Sequence, residues 1–85
     1  MIYDSKFVYF SIYPNPAKNS IFINFKNGFN THSNISITDV LGKEIYQLNA
    51  VNAELEIDIS KLTNGVYFVK LSDENGIFTQ KFIKE

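Results

Sequence analysis

The chain contains no cysteine, no tryptophan and no arginine, and only two prolines and one histidine among its 85 residues. Each scarcity excludes something. Without cysteine there is no disulfide framework, no redox role and no thiol nucleophile, so hydrophobic burial alone must hold a chain near the lower size limit for a self-sufficient core. Without arginine the planar fork that reads guanine edges and clamps phosphates is missing. The eight lysines against nine acidic residues leave a formal net charge of -1, so no nucleic-acid partner is expected. No run approaches the roughly 20 apolar residues that a membrane-spanning helix needs, and the apolar stretch at 7–13 is too short and too aromatic for the core of a secretory signal.

The catalytic inventory is equally thin. His32 sits in the polar run Asn30-Thr31-His32-Ser33-Asn34, where an exposed loop position is expected, and one imidazole cannot make a zinc site. Asp73-Glu74-Asn75-Gly76 lacks the repeated acidic ligands and distant glutamate of a calcium loop and fits a solvated hairpin turn. Asn34-Ile35-Ser36 matches a glycosylation sequon, a three-residue pattern that arises often by chance. With no nucleophile elbow, phosphate loop or convergent carboxylate pair, the expectation is a non-enzyme without metal or cofactor.

What the chain does have is alternation. Three of its four glycines follow asparagine, at Asn27-Gly28, Asn64-Gly65 and Asn75-Gly76, and the fourth, Gly42, follows Asp39-Val40-Leu41. Such sequences adopt positive φ at little cost and mark places where a strand can reverse. Between them the apolar period is two: Ala53, Leu55, Ile57 and Ile59 alternate with Glu54, Glu56 and Asp58. The same pattern turns Ile21, Ile23 and Phe25 inward, then Ile35 and Ile37, then Tyr67, Val69 and Leu71. Further runs at 7–13, 44–48 and 76–84 complete about seven strands with no convincing helix, which predicts an all-β chain folded as a small two-sheet sandwich.

Both prolines lie in Tyr13-Pro14-Asn15-Pro16, directly after the first apolar run. Proline lacks an amide donor and holds its predecessor extended, so this segment should end ladder pairing after Tyr13 and carry the chain between sheets, with Asn15 supplying the turn. At the other end, adjacent Phe82 and Ile83 must point to opposite faces of their sheet, which leaves one near water, flanked by Lys81 and Lys84. That is the composition of a docking surface with a strand edge free for main-chain pairing, and equally of an edge strand guarded by lysines against stacking. The first strand poses the same question, with Phe7 and Tyr9 on one face and Val8, Phe10 and Ile12 on the other, so both termini are expected to share an apolar surface.

Four segments taken in order are more specific than any one. Tyr13-Pro14-Asn15-Pro16, the run from Ile37 through Thr38-Asp39-Val40-Leu41-Gly42-Lys43 to Glu44, the run Leu62-Thr63-Asn64-Gly65-Val66-Tyr67 continuing to Leu71, and Lys81-Phe82-Ile83-Lys84 together resemble the type A C-terminal sorting domain of the type IX secretion system. The resemblance spans 12–85, and the family begins its domain with such a Tyr-Pro-Asn-Pro segment, which implies that 1–11 is a linker remnant and first strand.

The resemblance further implies an immunoglobulin-like β-sandwich that closes a larger protein of a Gram-negative bacterium. Such a protein passes through the periplasm and crosses the outer membrane to the cell surface or the medium, with this domain as its address. Implied partners are the outer-membrane translocon, shuttle and sortase components and an N-terminal cargo domain, with sortase cleavage a frequent sequel. Gly65 and Tyr67 match the family's Gly-x-Tyr segment, and Lys81, Phe82, Ile83 and Lys84 match its lysine-flanked apolar motif, where recognition is expected. A homodimer through exposed terminal strands is a further expectation. The alternative from a different class is a surface adhesion or carbohydrate-binding module on the same sandwich; it needs an aromatic platform, for which the chain offers five tyrosines and no tryptophan.

Overall fold

The structure is a computed structural model that describes residues 10–25, 34–49, 54–73 and 76–85. Seven strands follow in order: β1 (Phe10–Tyr13), β2 (Ser20–Phe25), β3 (Asn34–Thr38), β4 (Glu44–Asn49), β5 (Glu54–Asp58), β6 (Gly65–Asp73) and β7 (Gly76–Lys84). They form two antiparallel sheets, one ordered β1-β2-β5 and the other β4-β3-β6-β7, so the chain is all-β, as its period-two pattern predicts. No helix among the described residues is long and apolar enough to cross a membrane.

The alternation fixes which side chains are dry. Ile21, Ile23 and Phe25 of β2, Ile35 and Ile37 of β3, and Tyr67, Val69 and Leu71 of β6 are all buried. Ile57 and Ile59 join them, Ile59 one residue beyond the end of β5. Phe10 and Phe82 bring both ends of the described chain into that single core. Ala53, the residues Phe7, Val8 and Tyr9, the Asn27-Gly28 pair, His32 and Asn75 lie outside the described residues.

The glycine positions do different jobs. Gly42 closes a true reversal between β3 and β4: its amide donates to the Asp39 carbonyl at 3.0 Å, and the Asp39 amide donates to the Lys43 carbonyl at 3.0 Å. Its φ of +86° lies in the left-handed region that glycine tolerates best. The Asp39 carboxylate reinforces the turn by accepting from the Leu41 and Lys43 amides, both at 2.9 Å. At Asn64-Gly65 the expected reversal is instead a crossing. The chain leaves the first sheet at Asp58, turns where the Leu62 amide donates to the Ile59 carbonyl at 3.0 Å, and begins β6 in the other sheet at Gly65. Near Asn75-Gly76, Asp73 pairs with Gly76, so β6 and β7 form a hairpin with a two-residue link.

The connection from β1 to β2 makes a detour. These strands are adjacent antiparallel partners, yet residues 14–19 swing to the other sheet, where Ala17 forms a parallel bridge with Lys84. The crossing expected of Tyr13-Pro14-Asn15-Pro16 is therefore present, though the segment bends at 14–16 and both of its X-Pro bonds are cis.

Candidate functional site

The four motif segments, far apart in sequence, meet at one end of the sandwich. Strand register brings them together: Thr38 pairs with Phe68, Phe68 with Lys81 and Gly65 with Lys84, and Ala17 lies beside Lys84. Between the Asp39–Lys43 turn and the connection into β6 runs a cleft of about 380 Å³, with Asp39, Val40, Lys43, Leu62, Thr63 and Gly65 in its wall. Two of the four segments thus share one surface depression.

Parity divides the closing motif. Phe82 is fully buried, and Lys84, on the same side of β7, is 7% exposed. Ile83 is 39% exposed and Lys81 is exposed beside it on the outer face. The expectation that both lysines flank the outer apolar residue is corrected here. Residue 84 has the parity of 82, so its aliphatic stem is covered, while its ammonium at the strand end donates to the Glu85 main-chain oxygen at 3.1 Å.

Tyr67 and Phe82 are cross-strand partners whose rings stack with centroids 5.6 Å apart. The Tyr67 hydroxyl donates to the Thr63 carbonyl at 2.7 Å, which ties the connection before β6 to the core. Gly65 holds φ at +155°, with open space where a Cβ would stand. Tyr67, Phe82 and Lys84 are thus interior, and Lys81 and Ile83 are the members of the matched set on the outer face.

The strand edge expected to be free is occupied over 81–85. The Asn15 side chain accepts from the Ile83 amide at 2.9 Å and donates to the Lys81 carbonyl at 3.4 Å. The Ala17 amide then donates to the Ile83 carbonyl, and the Glu85 amide to the Ala17 carbonyl, each at 2.8 Å. Within the described residues β1 and β7 lie in different sheets, Phe10 and Phe82 share one core, and the Gln80 side-chain amide donates to the Phe10 carbonyl, whereas Phe7, Val8 and Tyr9, on which the shared-surface expectation also rests, lie outside them.

Comparison with known proteins decides the family. A family model described as a secretion system C-terminal sorting domain matches residues 11–85. The chain belongs to that family. No curated protein matches the sorting domain. Among solved structures, PorZ, described as an essential bacterial surface component of the type-IX secretion system of Porphyromonas gingivalis, superposes with a TM-score of 0.77 at 23% identity over 89% of this chain. The match spans 11% of that larger chain, and at this identity it shows the shared sandwich fold.

The sorting domain's outer face holds more than the terminal motif. Cross-strand pairs place half-buried Val66 beside Ile83 and half-buried Phe68 beside Lys81, with Lys70 next along β6. This apolar strip edged by Lys70 and Lys81 was not read from the sequence. Period two within 65–73 assigns Val66, Phe68 and Lys70 to one side, but only the β6–β7 register puts them beside Ile83.

The opposite outer face carries the other sign. Glu54, Glu56 and Asp58 of β5 all point outward there. Tyr13 stacks on Phe22 at 5.5 Å and donates its hydroxyl to Glu54; that hydrogen bond, with slight desolvation and the carboxylate's charge, raises the Tyr13 pKa. The Ser20 hydroxyl donates to Glu56 at 3.1 Å. Asp58 is lowered from the ordinary carboxylate range, first by the Ser60 hydroxyl and then by the Ser60 amide, which donates at 2.9 Å. No group of metal-ligating side chains collects among the described residues.

Proposed function

We propose that the domain is the address by which a cargo protein joined to its N-terminal side is carried through the periplasm and across the outer membrane, and that the secretion machinery reads the outer face of β6 and β7. The supporting observation is the division of the closing motif: Phe82 and its partner Tyr67 fix the strand from within, while Ile83 and Lys81 are displayed beside Val66, Phe68 and Lys70. Apolar side chains next to cations with no ion-pair partner among the described residues suit a partner surface with an apolar centre and carboxylates around it. Translocon or shuttle components are the partners in this reading, with processing by a surface sortase afterwards.

Fusion of the 85-residue chain to a periplasmic reporter, in a cell that has the type IX machinery, tests the proposal. The reporter should appear outside the cell, and deletion of 81–85 should keep it inside. Export of the truncated fusion at the full level would remove the signal from this strand. A glycan-binding role is the second reading, because Tyr13 and Phe22 form an aromatic pair above a depression of about 310 Å³ bordered by Glu54 and Glu56. Stacking spends one face of each ring on the other, which leaves a poor platform for a sugar. Specific binding to a sugar array by a fusion that is not exported would favour it.

A further inference from the structure

The Tyr-Pro-Asn-Pro segment does something that its position between β1 and β2 does not require. Two antiparallel neighbours could be joined by a short turn, yet residues 14–19 travel to the far sheet and run along the edge of β7. An edge strand presents outward-pointing amides and carbonyls at every second residue, an invitation to any incoming strand. Toward the end of β7 these belong to 81 and 83, with Glu85 continuing the row, and four consecutive groups are engaged: the Lys81 carbonyl and Ile83 amide by the Asn15 side chain, the Ile83 carbonyl and Glu85 amide by the Ala17 main chain. A primary amide has an N–H on the same side as its C=O, as the N–H and C=O of a single extended residue are, so the Asn15 side chain stands in for a strand residue. Flanking prolines add no amide donors of their own at positions 14 and 16.

We propose that Asn15 is a positioning residue that clips the closing strand, so that Ile83 and Lys81 are held on the outer face while the main-chain edge from the Lys81 carbonyl to the Glu85 amide is withheld from strand addition. A partner must then recognise this end of the domain through its side chains rather than by pairing with its backbone. The consequence for export rests on the function proposed above; the clip itself does not.

The test separates the two. In Asn15→Ala, the Ile83 amide should exchange with solvent at least about fivefold faster, the factor that an ordinary net hydrogen bond corresponds to. Amides in the β2–β5 ladder, such as Ile57, should keep their protection. Asn15→Asp retains the acceptor and should restore Ile83 protection while losing the donation to Lys81. Unchanged Ile83 exchange in Asn15→Ala, or a loss of protection throughout the domain that Asn15→Asp does not rescue, would overturn the clip. Fused to a reporter, Asn15→Ala should be exported severalfold less than the parent. Faster Ile83 exchange with undiminished export would leave the clip standing and count against recognition at this strand.

Discussion

Replacing Phe82 and replacing Ile83 should have unequal effects on stability, although the two are adjacent. Phe82 is fully buried and stacked on Tyr67, so Phe82→Ala should cost about 3–5 kcal/mol through lost burial and the cavity it leaves. Ile83 is 39% exposed, so Ile83→Ser removes only partly covered apolar surface and should cost about 1–2 kcal/mol. Urea unfolding of the two variants measures the difference; equal losses would contradict the assigned faces. Asp58 gives a residue-level test against pH. Its pKa is lowered in the folded state, so the stability it contributes is present above the ordinary aspartate range and is lost as the pH falls through the folded value. Asp58→Asn should flatten the acid limb of stability against pH, with little change near neutrality; an unaltered acid limb would show that the Ser60 contacts do not favour the ionised form.

Within single elements, local chemistry decides most of what is seen. The β3–β4 turn needs a left-handed residue at Gly42, where an added Cβ would meet no neighbour within 4 Å. Gly42→Ala should therefore cost about 1 kcal/mol from backbone conformation alone, measured as a lower urea midpoint with an unchanged slope. No loss would mean that the turn readily takes another shape. The strands themselves were legible because period two is a property of neighbours in sequence: Ile21, Ile23 and Phe25 had to share a face whatever sheet received them. Asn64-Gly65 was not legible as a crossing, since the same dipeptide serves a hairpin and the start of a strand. Lys84 was misplaced for a different reason: charge suggested water, while strand parity and the Ala17 bridge placed it inside.

At the scale of the molecule, function depends on contacts that no local pattern encodes. The bonds from Asn15 to β7 join residues 66 and 68 positions apart, and the Val66–Ile83 pairing exists only once the β6–β7 hairpin has its register. The order of the four motifs carried the family resemblance, and folding gathers them at one end, with a lysine-edged apolar face on one sheet and a carboxylate-bearing face on the other. Deleting 81–85 cannot by itself separate recognition from folding, because it also strips Phe82 from the core. The most direct measurement is therefore export of a reporter fused to Lys81→Glu/Ile83→Asp, a double variant altered only on the outer face, with its fold verified by a retained cooperative melting transition. The account predicts a folded fusion retained inside the cell; a folded fusion exported as efficiently as the parent would contradict it.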